Sequence, residues 1–213
     1  MTPVRIRAER REVAVNRERI LVAAERVFSK EGLDAPLHRV AEEAGLGIAT
    51  LFRRFPRRDD LDRALYDIGA ERIQGIIDRA IAEYDTGWPR VEAFMREIMA
   101  LIFEMPILPG LMRRVATYDP THRPAEAWRK PIGDTVLLAR NEGTLRPDVN
   151  GYDLVTLAFM FNGIAYQPEP MRSMFGERML TIVLDGLRAG STTPMPALAR
   201  LDEDEFHLGS HGV

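Results

Sequence analysis

The sequence predicts an all-α fold of about nine helices: an N-terminal three-helix helix-turn-helix domain followed by a C-terminal helical bundle. Three observations carry that expectation. Apolar residues recur at steps of three and four along most of the 213 residues, and strand-like alternation persists nowhere. Glycine or proline closes the periodic runs, at Gly32, Gly45, Pro56, Gly143 and Gly190. Charge is unevenly shared: residues 1–63 hold 14 Lys/Arg against 11 Asp/Glu, and the remaining 150 hold 15 against 21. A basic head on an acidic body points to an end that faces a polyanion, although the net charge is −3.

Residues 1–15 are rich in arginine and weakly periodic. They read as a flexible basic arm, in which Arg5, Arg7, Arg10 and Arg11 could meet phosphates or a minor groove. Asn16 is a fitting N-cap for a first helix over about 16–31, whose inner side is Ile20, Ala23, Ala24, Val27 and Phe28. Gly32 supplies its left-handed C′ position. Pro36 suits the first turn of a second helix carrying Leu37, Val40, Ala41 and Ala44 and stopping at Gly45. A third runs from Ile48 to Phe55 and halts at Pro56. Two short helices joined by a glycine turn form the helix-turn-helix pattern.

A long helix follows from Arg57 to about Tyr84, and another holds Val91, Phe94, Met95, Ile98, Ile102 and Met105. A short helix carries Leu111, Met112 and Val115. The next holds Trp128, Ile132, Val136 and Leu137, and Pro131 should kink or restart it. Asn150 can cap a helix over about 151–166, with Asp153 near its positive end. The last helix, about 171–189, holds Met174, Met179, Ile182, Val183 and Leu187. Residues 191–213 lack apolar periodicity and read as a disordered tail. The expected organisation is a helix-turn-helix domain with its basic arm over 1–56, a helical bundle domain over 57–190, and the tail.

Composition, 46% hydrophobic and 29% charged, allows a sizeable core. The absence of cysteine excludes disulfides, a thiol nucleophile and thiolate metal sites. No apolar run reaches the roughly 18–20 residues that span a bilayer, and the first twenty residues lack an apolar signal core. The expectation is a cytoplasmic protein with no membrane partner, no metal and no cofactor. The four histidines are scattered, and neither Glu-x-x-His nor Gly-x-Ser-x-Gly occurs, so an enzyme is not expected.

The stretch AGLGIATLFRRFPRR, residues 44–58, contains four arginines and no acid. With its neighbours it resembles the N-terminal domain of TetR-family transcriptional regulators. The resemblance covers residues 19–65 without gaps, through AA..VF...G on the first helix, VAEEAGLG on the second and its turn, ATLFRRFP on the third, and RRDDL opening the fourth. LLARNEGTLRPDVNGYDLVTLAF (137–159) and LTIVLDGLRAG (180–190) are similar to the family's last helices. Ala35-Pro36, Gly47, Phe52 and Arg58 stand where the family often has Thr or Ser, Ser, Tyr and Lys. Polar phosphate contacts are thereby lost and arginine must compensate.

The resemblance implies a recognition helix that packs one face on its neighbours and presses the other into a major groove. Leu51, Phe52 and Phe55 are expected to pack, leaving Thr50, Arg53 and Arg54 for base edges and phosphates. Arginine grips guanine O6 and N7 with two hydrogen bonds. Gly47 and Ala49 are small enough for close approach. Arg57 and Arg58 would clamp phosphates, with His38 and Arg39 as further backbone contacts. One head reads few base pairs, so a homodimer on palindromic double-stranded DNA is expected, with Leu154, Leu157, Phe161, Ile182, Leu184 and Leu187 at the interface.

For the body, the resemblance implies a pocket for a small-molecule effector. Met95, Met99, Phe103, Met112, Trp128, Phe159 and Tyr166 are its candidate lining, which favours a largely hydrophobic or aromatic ligand. The expected function is a ligand-responsive transcriptional regulator, a repressor released by its effector. The alternatives are a ligand-independent DNA-binding protein and, more remotely, a helical-bundle enzyme.

Overall fold

Helices α1 (Pro3–Glu31), α2 (Leu37–Glu43) and α3 (Ile48–Arg54) form the head, and α4 (Arg58–Glu83) follows. The body adds α5 (Gly87–Glu104), α6 (Leu108–Tyr118), α7 (Glu126–Asn141), α8 (Gly151–Met160), α9 (Asn162–Ala165) and α10 (Met171–Leu187). This computed structural model describes residues 3–190 and 193–196, with residues 3–10 by backbone alone. Among them α9 is a single turn continuing α8 beyond Phe161. The expected nine helices are thus present, and the described residues contain no strand, only one isolated bridge between Leu145 and Arg188. Two compact units meet between Tyr66 and Asp67, within α4 and ten residues beyond the boundary expected at 56/57.

Asn16 does not cap α1. It lies inside the helix, 9% exposed, because α1 begins at Pro3 and continues through a run of arginine, glutamate and alanine that favours helix. Backbone from residue 3 onward is therefore helical, where a flexible arm was expected. The side chains of Arg5, Arg7 and Arg10 lie outside the described residues, and Arg11 is exposed. Ile20, Ala23, Ala24, Val27 and Phe28 are buried as the periodicity requires.

In the body, α5 packs against α7, α8, α9 and α10. Its crossing with α7 is tight: a Cβ on Gly87 would lie 2.2 Å from the Ala139 nitrogen. α7 runs without a break through Pro131, contrary to the expected restart, and the ladder forgoes one bond at that half-exposed position. Asn150 and Asp153 form a reciprocal capping box at the start of α8, each side chain accepting a backbone N–H of the other end.

Residues 193–196, the described part of the expected tail, are tied to the α7–α8 connection. Arg146 Nη2 donates to the Thr193 carbonyl at 2.6 Å, and the Met195 N–H donates to Asp148 Oδ2 at 3.0 Å. Arg146 also forks onto both Asp148 oxygens, at 2.7 and 2.9 Å. That pairing, and next the Met195 amide, hold the Asp148 carboxyl well below the usual carboxylate range. A depressed folded-state pKa contributes stability that is complete above about pH 4 and is lost as pH falls toward the depressed value. Asp148→Asn should therefore lower the thermal midpoint at pH 7, with the gap to the parent narrowing in melts below pH 4. A gap that stays constant would show that the charge has no part in it.

Candidate nucleic-acid interface

The turn between α2 and α3 is built by Gly45 at φ +62°, a conformation that favours glycine. The Gly45 N–H donates to Glu42 O and the Leu46 N–H to Ala41 O, both at 2.9 Å, completing a Schellman stop. Arg19 Nη2 donates to the carbonyl of the α2 C-cap residue, Ala44 O, at 2.7 Å. Gly47 is the α3 N-cap and offers no side-chain acceptor, so the first turn is closed by its carbonyl, which accepts from Thr50 N at 2.8 Å. α3 is thereby fixed in orientation by backbone hydrogen bonds.

One side of α3 is sealed by Leu51 at 0% exposure, and Phe55, its C-cap, is buried beside it. The other side presents Ile48, Ala49, Phe52 and Arg53 to solvent. Phe52 thus leaves the packing set: it is 45% exposed, because one residue beyond Leu51 is a rotation of about 100° on a helix. Thr50 and Arg54 occupy the half-buried flanks. The Arg54 Nε is buried without a hydrogen-bond partner among the described residues, so this guanidinium is partly inside the head.

The other arginines separate into two groups. Arg53 is exposed, and Arg57 is exposed with one ion pair to Asp59 at 2.8 Å. Arg39 is exposed but engaged by Glu31 at 3.2 Å and Glu42 at 3.0 Å, and those two carboxylates, Glu31 first, raise its pKa. Arg58 turns inward, which corrects its expected role as a phosphate clamp. Its two terminal nitrogens donate to Leu33 O, at 2.7 Å, and to Ala35 O, and its guanidinium lies 5.3 Å from the Phe28 ring centroid. It braces the α1–α2 loop. His38, Gly47 and Ala49 are exposed, as a nucleic-acid contact requires.

Residues 20–65 match the family model described as bacterial regulatory proteins, tetR family, and residues 91–189 match that of the SbtR-like transcriptional regulator C-terminal domain. HTH-type transcriptional regulators of Staphylococcus aureus, including that of strain USA300, are 38% identical over 53 residues. That match covers 24% of this chain and 29% of theirs. The crystal structure of a TetR transcriptional regulator from Streptomyces coelicolor is 32% identical, with a TM-score of 0.57, over 82% of this chain and 99% of that one. The chain belongs to the TetR family. A ketosteroid transcriptional regulator of Mycobacterium tuberculosis, 19% identical with a TM-score of 0.64 over 81% of this chain and 94% of its own, shows the shared fold.

TetR-family membership makes this a DNA-binding transcriptional regulator and not an enzyme. Dimerisation is typical of TetR proteins, and ligand binding is common among them. No described helix is long and apolar enough to cross a membrane.

The structure places the two sets of residues expected in the body of this TetR chain. Of the interface candidates, Leu154, Phe161, Leu184 and Leu187 are buried within the single chain, which removes them from a surface, while Leu157 is half-buried and Ile182 is 59% exposed. α10 in fact carries two apolar stripes. Gly176, Leu180, Leu184 and Leu187 face inward, and Met171, Met174, Phe175, Met179 and Ile182 face outward at steps of three and four. Of the ligand candidates, Met95, Met99, Met112 and Trp128 are buried, Phe103 and Phe159 half-buried. Met99 and Phe103 pack on Gly176, where a Cβ would come within 2.7 Å of the Phe103 ring. Tyr166 is 59% exposed with its hydroxyl donating to Pro106 O. None of the seven lines the apolar cavity among Ile77, Ala80, Arg90, Val91, Phe94, Ile132, Thr135 and Leu154, whose volume is about 10 Å³.

Proposed function

We propose that this TetR-family protein is a cytoplasmic repressor that binds a palindromic operator as a homodimer and is released by a small, largely apolar effector. The observation that carries the reading is the outer face of α3, which is exposed, bears Arg53 and belongs to a 15-residue stretch with four arginines and no acid. Arg53, Gly47, Ala49 and Arg57 are its principal DNA-contacting residues, with Thr50, Arg54, His38 and Arg39 at the margins. A single seven-residue helix spans few base edges, and a two-fold dimer doubles the sequence read.

The outer stripe of α10 is the dimer surface that best fits the exposures. Substituting Phe175→Glu together with Ile182→Glu should give a folded monomer by circular dichroism and sedimentation, with operator affinity sharply reduced. A dimer persisting at micromolar concentration would move the interface elsewhere.

Effector enters, on this reading, at the cavity bounded by α4, α5, α7 and α8. About 10 Å³ holds no more than one water, so the helices must part to admit a ligand. α4, shared by both units, transmits that change to the head. A coupling of about 1–3 kcal/mol would change operator affinity about 5–150-fold. The test is selection of binding duplexes from a random-sequence library by the full-length protein, followed by a screen of apolar compounds for release. Enrichment of one near-palindrome supports the reading. Enrichment of no sequence at low ionic strength would end it.

A further inference from the structure

We propose that Ile48 and Phe52 read thymine C5-methyl groups in the operator, a reading that rests on the DNA-binding role proposed for α3. The exposed face of α3 consists of Ile48, Ala49, Phe52 and Arg53. Three of these four side chains have no polar atom. Ile48 and Phe52 are 40% and 45% exposed, although larger apolar groups on a short solvent-facing helix are ordinarily turned inward. Separated by four residues, they lie one above the other on the same side, about 5–6 Å apart at Cβ. They form one continuous apolar strip, flanked by the Arg53 guanidinium.

The chemistry available on this strip narrows what it can recognise. Asn or Gln would be needed to pair with the adenine N6/N7 edge, and Asp or Glu to accept from cytosine N4. Neither kind is present on the outer face, and no acid or amide occurs between residues 44 and 58. Arg53 supplies the guanine reader. The apolar pair then has one complementary feature in a major groove, the thymine methyl, which projects into the groove and is covered favourably by hydrocarbon. An apolar protein partner is a poorer fit, because the strip sits among arginines with no acidic residue interspersed, which suits a polyanion.

The experiment uses the duplex selected from the random library. Each thymine is replaced in turn by deoxyuridine, which removes the C5 methyl and leaves base pairing intact. Burying one methyl is worth about fourfold in affinity, so at one or more positions in each half-site the uracil duplex should bind about fourfold more weakly. Replacement in both half-sites should multiply the loss. The variant Ile48→Ala/Phe52→Ala, altered only at exposed positions, should weaken binding to the thymine duplex and bind the uracil duplex equally well. Equal binding of thymine and uracil duplexes by the parent protein overturns the proposal. So does a variant that still distinguishes them, or a selected sequence without thymine. If no duplex is selected at all, it is the DNA-binding reading beneath it that fails.

Discussion

Arg53→Ala should lower affinity for the selected duplex by about 30-fold or more while leaving the fold unchanged. Arg53 is exposed and engages no acid among the described residues, so its removal leaves no buried charge unpaired. A bidentate arginine–guanine contact contributes about 1–3 kcal/mol of discrimination. Two heads acting together lose about 2–6 kcal/mol, and each 1.4 kcal/mol is tenfold in affinity. Arg53→Lys separates charge from geometry. Lysine keeps the cation but has no planar fork, so binding to scrambled duplex should persist while selectivity drops. Fluorescence anisotropy with the selected and a scrambled duplex measures both. Selectivity retained in the alanine variant would remove Arg53 from the recognition set, and with it the main support for the proposed orientation of α3.

Gly87→Ala should be the most destabilising methyl group that can be added to the body. An ideal Cβ at this position lies 2.2 Å from the Ala139 nitrogen, 2.4 Å from its Cα and 2.6 Å from its Cβ. The obstacle is largely backbone, so no rotamer change relieves it, and α5 and α7 must separate. The Gly87 N–H, which donates to Glu142 Oε2 at 2.8 Å, would be disturbed by the same shift. A loss of about 3 kcal/mol corresponds to a fall of about 6–12 °C in thermal midpoint for a chain of this size. Gly133→Ala is the matched control. It lies in α7 with nothing within 4 Å of an added Cβ, and alanine favours helix over glycine by up to about 1 kcal/mol. The midpoint should therefore rise slightly there. A neutral Gly87→Ala would mean that the two helices are not held at this crossing.

Local chemistry made much of this legible beforehand. Gly45 and the turn into α3, the Asn150–Asp153 capping box and the buried side of α1 each follow from residues close together in the chain, where one conformation satisfies propensity and hydrogen bonding at once. Positions decided by tertiary geometry were harder to read. Phe52 looks like core because its neighbours Leu51 and Phe55 are, and only the rotation between adjacent helical residues separates them. Arg58 looks like a phosphate ligand because it follows Arg57, yet Phe28 and two loop carbonyls lie 23 to 30 residues away in sequence. α10 is apolar on both sides, so a single periodic stripe could not distinguish Leu184, buried, from Ile182, exposed. Pocket lining is equally hard to read, because methionine and aromatic residues at helical spacing fill a core as well as they line a cavity.

The inward turn of Arg58 and the two carboxylates around Arg39 have a thermodynamic corollary. A duplex sheds condensed counterions only where a free cation replaces them, and that release is what makes binding sensitive to added salt. Guanidinium groups already paired with carbonyl oxygens or with glutamates displace fewer. Operator affinity should therefore fade with ionic strength more gently than the tally of arginines in the head implies, and a larger share of it must reside in the fit between α3 and the base pairs themselves.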